Sequence, residues 1–188
     1  MNIPFAIREI LLKDRPKSLY DISPKGTVPV LHLPNNDILE ESLDIMHWAL
    51  ERGVQNWYQN NKTKQDKMID LNDTEFKFWL DKYKYHVRHP DKSKNYYRKK
   101  CGSILNPYEK YLSKSSFLIS NECSLVDAAL FPFIRQFANV DRNWFANNFR
   151  NMDLWLNNWI NNSLFNSIML KYKQWVPGDN QTIVEFEN

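Results

Sequence analysis

Ser23-Pro24-Lys25-Gly26-Thr27-Val28-Pro29-Val30-Leu31, followed by Leu39-Glu40-Glu41-Ser42-Leu43-Asp44-Ile45, is the part of this 188-residue chain whose reading decides the fold. Ser23-Pro24-Lys25-Gly26 is a turn signal. Val28 to Leu33 reads as a strand, Pro34 to Asp37 as a tight connection, and Ile38-Leu39 as the returning hairpin strand. Glu40-Glu41-Ser42 then opens a helix, with acidic residues in the first turn where the dipole favours them. Leu43, Met46 and Leu50 share one face of that helix, and Gly53 ends it. Pro29 between two valines is unusual, because proline donates no ladder hydrogen bond and belongs at a strand beginning or an edge. With a cis Val28–Pro29 bond, the turn presents the backbone groups of Val28, and an extended peptide can pair with them by strand addition. The Ser42 hydroxyl and the free N–H groups of the helix start form a place for a carboxylate. A strand edge next to a helix N-terminus suits a small peptide with a free carboxylate. The simpler alternatives are a plain helix start at Glu41 and Ser42 and a structural cis proline. The two features together favour ligand binding.

Working outward, Phe5 to Leu12 reads as a strand, and Pro16 to Leu19 as the opening of a short helix. After a polar linker from about Gln55 to Gln65 the pattern is helical. Phe76, Trp79, Leu80, Tyr83 and Val87 keep helical spacing, as do Tyr97, Cys101, Ile104, Tyr108 and Tyr111 after the His89-Pro90 break. Val126 to Phe137, Met152 to Trp159 and Phe165 to Tyr172 supply three more helices. Ser124 and Asp127 form a Ser-x-x-Asp cap ahead of an apolar helix. Pro132 within it predicts a kink or a position near the first turn. The expected architecture is a mixed α/β module over residues 1–54, an all-helical domain over 62–176 and a tail over 177–188.

Hydrophobic residues are 43% and aromatics 14%, which excludes general disorder. No apolar run spans a membrane, and the opening Met1-Asn2-Ile3-Pro4 leads into charged residues unlike a secretory leader, so a cytoplasmic protein is expected. Cys101 and Cys123 make neither a disulfide framework nor a paired-cysteine metal site. Four glycines leave no Gly-rich phosphate loop. His86 and His89 have a spacing that permits a shared metal, but with no third ligand nearby a solvated pair is expected, and no metal. His32 and His47 read as surface or satisfied core groups. Residues 82–100 carry eight Lys/Arg against one acid, interleaved with Tyr83, Tyr85, Tyr96 and Tyr97. A nucleic-acid patch is conceivable, but one wet, basic face on two antiparallel helices is the more economical reading, so no nucleic-acid partner is expected. The tryptophans sit mostly at core spacing. Trp175 is a candidate for lining a cleft, with core packing the default.

The Val28-Pro29 and Glu41-Ser42 constellation resembles the glutathione S-transferase family, of an omega-like or bacterial type, whose amino-terminal half is thioredoxin-like. The family reads a Val-Pro-Val-Leu strand with a cis proline, then Glu-Ser opening the next helix. The resemblance implies that the backbone of Val28, turned by Pro29, pairs with the cysteinyl backbone of glutathione, and that Glu41 and Ser42 hold its γ-glutamyl end. Leu12-Lys13-Asp14-Arg15-Pro16 looks like the stretch where the omega-type branch places a glutathione-binding lysine, which falls on Lys13. Ser124 to Ala138 looks like the capping box and buried helix of the family's carboxy-terminal domain. Glutathione as substrate, an apolar electrophile as co-substrate and a homodimer are what the resemblance implies.

In the family a strand and a helix precede the strand expected at Phe5–Leu12, and the catalytic Ser, Tyr or Cys lies between them. A βαβ unit needs roughly 30 residues or more, and few stand before Phe5. In that fold the first strand lies between the second strand and the Val28–Leu33 strand, so its loss splits the central sheet and leaves Phe5–Leu12 without a partner on that side. Three arrangements reconcile this: a start codon upstream of Met1, a partial chain, or a shortened relative with the orphan strand shifted inward or paired with a second copy. A complete form is expected to conjugate glutathione or reduce mixed disulfides. Residues 1–188 alone are expected to turn over weakly or not at all, with no catalytic residue assigned. The alternative is a non-catalytic scaffold or regulatory protein of the same fold.

Overall fold

A computed structural model of the chain describes residues 3–53 and 56–185. They form two compact units. One runs up to Gly53 and takes up the chain again from Met169, and the other spans Asn56–Ile168.

The first unit contains β1 (Phe5–Ile7), α1 (Lys17–Ile22), β2 (Leu31–His32), β3 (Ile38–Leu39), α2 (Ser42–Arg52) and β4 (Thr182–Val184). The strands form two separate two-stranded sheets among the described residues, β1 with β4 and β2 with β3, both antiparallel. The strand expected over Phe5–Leu12 stops at Ile7. Beyond it the Glu9 carbonyl accepts a hydrogen bond from the Trp175 N–H at 2.8 Å, the Arg8 guanidinium lies 4.6 Å from the Trp175 ring centroid, and Leu11 bridges Asp14 across a turn. Trp175, half-buried, therefore packs on the strand region. Within the chain β1 pairs with the carboxy-terminal segment, with Phe5 opposite Val184, Ala6 opposite Ile183 and Ile7 opposite Thr182. Residues 177–188, expected as a tail, thus carry a strand. Thr182-Ile183-Val184 is a β-branched run that suits a pleated surface, and Val184 is buried. The strand expected over Val28–Leu33 shortens to Leu31–His32. Its hairpin closes through the Leu33 N–H on the Asp37 carbonyl at 2.9 Å, with Asn36 at φ 68°, a conformation asparagine tolerates.

The second unit is helical: α3 (Lys62–Leu71), α4 (Lys77–Lys84), α5 (Lys94–Leu112), α6 (Leu125–Val140), α7 (Arg142–Asn148), α8 (Arg150–Ile160) and α9 (Ser163–Ile168). A π-type turn at Asn72–Phe76 joins α3 to α4, and a 3₁₀ turn at His86–Arg88 follows α4, taking in Val87. The last helix ends at Ile168, short of the expected Tyr172. Helix α7 was not legible as a separate element. The core joins the π-type turn and helices α4 to α8 through Phe76, Leu80, Tyr83, Tyr97, Leu105, Ile134, Phe137, Phe145, Met152 and Leu156, with Met68 and Ile69 added from α3, all buried. Pro132 lies within α6 rather than in its first turn.

Buried polar groups fix how the helices start. Asp127, fully buried, accepts hydrogen bonds from the Ser124 N–H at 3.1 Å, the Ser124 hydroxyl, the Leu118 N–H at 2.9 Å and the Trp155 indole N–H at 3.0 Å. The expected cap is present, and it also reaches α8. Gln65, also fully buried, donates to the carbonyls of Trp57 and Asn60 and accepts from the Val126 N–H at 3.1 Å. Glu109 accepts from the N–H groups of Asn151 and Met152 at 2.8 and 2.9 Å, which satisfies orphan donors at the start of α8.

Two outcomes follow from this packing. Asp127→Ala strands the Leu118 N–H and the Trp155 indole N–H in the core, and is expected to cost about 3 kcal/mol in a urea titration followed by far-UV circular dichroism. Ile183→Pro removes a backbone donor from β4, so amide exchange at Ala6 and Ile7 is expected to accelerate while exchange in α6 stays unchanged.

Candidate functional site

The turn Ser23–Gly26 is built by its residue types. The Ser23 N–H closes on the Leu19 carbonyl at the end of α1, and the Gly26 N–H donates to the Ser23 carbonyl, each at 2.8 Å. Gly26 has φ +61°, and a Cβ there would lie 2.3 Å from the Tyr20 ring, so both conformation and space require glycine. Two residues further on, the Val28–Pro29 peptide bond is cis. Val28 is 44% exposed. No hydrogen bond among the described residues uses its N–H or its carbonyl, so both backbone groups are open to an incoming strand.

At the other end of the site, Glu41 is the extended N-cap residue of α2, and its side chain makes no capping hydrogen bond. Ser42 is the first helical residue and is exposed. The N–H groups of the first turn of a helix have no intrahelical partner, and they carry the positive end of the dipole. Two side-chain links bridge the turn and the helix start. The buried Ser23 hydroxyl donates to the Glu40 carboxylate at 2.5 Å, and the Lys25 ammonium lies 3.4 Å from the Glu41 carboxylate. The first link anchors the residue just before Glu41-Ser42 to the residue that begins the Pro29 turn. The second is a different kind of contact, since both side chains are more than half exposed. Exposed ion pairs of this sort contribute about 0–1 kcal/mol, so an arriving ammonium group can replace Lys25 at little cost. Ser23, Lys25 and Glu40 had no role from the sequence. The turn signal marked their neighbourhood, but a bond across 17 residues has no local signature.

Lys13 sits exposed in the Leu11–Asp14 turn, and among the described residues no hydrogen bond or ion pair joins it to Lys25, Glu41 or Ser42. Cys101 and Cys123 belong to the helical unit. Burial pushes both thiols up to about 12, with the nearby Asp127 charge adding to the effect at Cys123. Asp127 itself is raised above the ordinary carboxylate range by burial, against the hydrogen bonds from Ser124, Leu118 and Trp155 that pull it down. These groups are structural. Among the described residues no cluster of three or more His, Cys, Asp or Glu is placed to hold a metal. His89 Nε2 lies 3.6 Å from the Asp81 carboxylate. No described helix is long and apolar enough to cross a membrane.

Comparison with known proteins covers both units. Residues 1–52 match the glutathione S-transferase N-terminal domain, and residues 51–162 match the glutathione S-transferase C-terminal domain. No curated protein matches the chain. Among solved structures, a Gtt2-class glutathione S-transferase of Vibrio parahaemolyticus superposes with a TM-score of 0.67 at 16% identity, covering 86% of this chain and 82% of that one. A glutathione transferase of Phanerochaete chrysosporium, solved in complex with oxidized glutathione, gives 0.65 at 18% identity, covering 80% and 75%. Glutathione transferase F7 of Populus trichocarpa gives 0.64 at 16%, covering 80% and 78%. At these identities the structural likeness speaks for the fold: a small thioredoxin-like α/β unit and a helical carboxy-terminal domain. With a family model matching each part of the sequence, the chain belongs to the glutathione S-transferase family.

Proposed function

We propose that this protein binds glutathione across the Pro29 turn and the start of α2, and that residues 1–188 alone turn it over slowly. The observation that carries the reading is the Ser23–Glu40 hydrogen bond, which ties the turn to the helix start. In this reading the cysteinyl part of the tripeptide pairs as a short strand with the open N–H and carbonyl of Val28. Its γ-glutamyl carboxylate accepts hydrogen bonds from the Ser42 hydroxyl and the first-turn N–H groups of α2, where the dipole favours negative charge. Its ammonium takes the place of Lys25 on Glu41. Pro29 shapes the turn, and Lys13 is retained as the lysine that the resemblance implies. The solved relative from Phanerochaete chrysosporium holds oxidized glutathione, which supports this ligand class.

Conjugation to an apolar electrophile, or reduction of a mixed disulfide, needs the ligand thiol as thiolate. Among the described residues, the unit that carries the site contains no cysteine, so no protein thiol there can form a mixed disulfide. In this reading the Ser42 hydroxyl and the first-turn N–H groups of α2 hold the ligand without a protein thiol, which favours slow conjugation over thiol exchange. A cytoplasmic homodimer belongs to the same reading.

Calorimetric titration with glutathione is the direct test. Glu41→Ala and Ser42→Ala are each expected to weaken binding roughly tenfold, the size of one charge-assisted hydrogen bond. Absence of heat and of retention on glutathione-agarose for the unaltered chain would instead favour a scaffold of the same fold. With a nitroaryl chloride as electrophile, conjugation is expected to stay far below the rates of active transferases, and ordinary transferase rates would overturn the slow-turnover reading. Thiols at about 12 are only about 10⁻⁴ ionised at pH 8. Cys101 and Cys123 are therefore expected to resist Ellman's reagent until urea unfolds the helical unit.

A further inference from the structure

The basic stretch between Lys82 and Lys100 does more than line one wet face. Phe78 and Trp79 on α4 and Tyr96 and Tyr97 on α5 meet as one run of rings. Phe78 is 4.8 Å from Trp79, Trp79 is 6.3 Å from Tyr96, and Tyr96 is 5.8 Å from Tyr97, each edge-on. Lys82 lies 4.9 Å from the Phe78 ring, Lys92 lies 5.7 Å from Tyr96, and Lys100 lies 5.4 Å from Trp79 and 5.6 Å from Tyr96. Cations and rings therefore alternate across α4, the connection that carries Lys92, and α5 within a single patch. Phe78 is 52% exposed and Tyr96 37%.

None of these three lysines, nor Lys94 or Lys99 beside them, is ion-paired among the described residues. Of the nearby carboxylates, Asp73 holds Lys77, Asp141 holds Arg98 and Asp81 faces His89, which leaves Asp91 as the one acid set against the eight Lys/Arg of residues 82–100. The patch is a concentration of positive charge that the chain itself leaves uncompensated, and an external anion would relieve it. A strand of nucleotides alternates phosphates and flat bases, the same alternation that the lysines and rings present. A lipid surface calls for a continuous apolar helix face that sinks into the acyl boundary, whereas only Phe78 and Tyr96 of these four rings are exposed.

We propose that the α4–α5 face built from Phe78, Trp79, Tyr96, Lys82, Lys92 and Lys100 binds single-stranded nucleic acid, with lysines on phosphates and exposed rings stacking on bases. Recognition of this kind is independent of sequence. It is also independent of the glutathione site, which lies in the other unit.

The test is fluorescence anisotropy with a labelled oligothymidylate of about 20 nucleotides. Binding is expected at low salt. For three phosphate contacts, at a slope of about −0.7 per contact, it should weaken roughly 20-fold between about 50 and 200 mM salt. The triple variant K82E/K92E/K100E is expected to lose binding. K67E/K110E/K114E, with the same net charge but with the reversals outside the ring cluster, is expected to keep it. Tyr96→Leu, which preserves apolar bulk and removes the ring, is expected to weaken binding about tenfold. Circular dichroism melting confirms that each variant is folded. The proposal is overturned by no anisotropy change at about 50 mM salt, or by equal loss in both triple variants, which would mean net charge alone. It is also overturned if phosphatidylserine vesicles or duplex DNA bind as well as the single strand while Tyr96→Leu changes nothing.

Discussion

The carboxylate of Asp127 lies out of solvent and accepts hydrogen bonds from the residue that begins α6, from the Leu118 loop and from a tryptophan of α8. A buried charge is tolerated only when every lone pair finds a donor, so this one group imposes three constraints at once: where α6 starts, how the loop before it closes, and how α8 lies against it. Gln65 repeats the logic between α3 and α6, and Glu109 between α5 and α8. Apolar side chains fill the space that these polar links define. Hydrophobic burial is non-directional and cannot by itself choose the register of one helix start against another.

The first unit works with less. Its strands are two or three residues long and form two ribbons rather than one sheet. Isolated two-stranded ribbons are marginal in water, so its order rests on connections: β1 is held by β4, Glu9 by Trp175, and the Pro29 turn by the Ser23–Glu40 bond. In the proposed reading, that bond joins otherwise separate features into one site. A turn with open backbone groups and a helix start with open N–H groups are each common. Held to one another by a buried hydroxyl, they can address the two ends of one small peptide.

The two proposed surfaces use charge in opposite ways. At the start of α2 the cation Lys25 is already matched by Glu41 and can yield to a ligand. On the α4–α5 face the lysines lie against rings instead of carboxylates, so their attraction for an anion remains available. This difference could not be read from the order of residues, because 82–100 looks uniformly basic until its side chains are placed.

Local rules determined a good deal. Ser23–Gly26 marked a turn and Pro34–Asp37 a tight connection, Pro29 marked a strand beginning, Ser124-x-x-Asp127 marked a helix start, and Leu43, Met46 and Leu50 marked one helical face up to Gly53. Each signal acts within a few residues, and each was legible for that reason. The family was legible too, because its turn and helix-start motifs are local. The tertiary structure alone decided what depends on contact between distant segments. The strand at Phe5 shortened and found its partner at Thr182–Val184, beyond the reach of any periodicity. Ser23 met Glu40, and Lys82 of α4, Lys92 of the connection and Lys100 of α5 gathered around the rings. Pairing across long separations is set by which surfaces the folded chain brings together, and no stretch of sequence carries that information by itself.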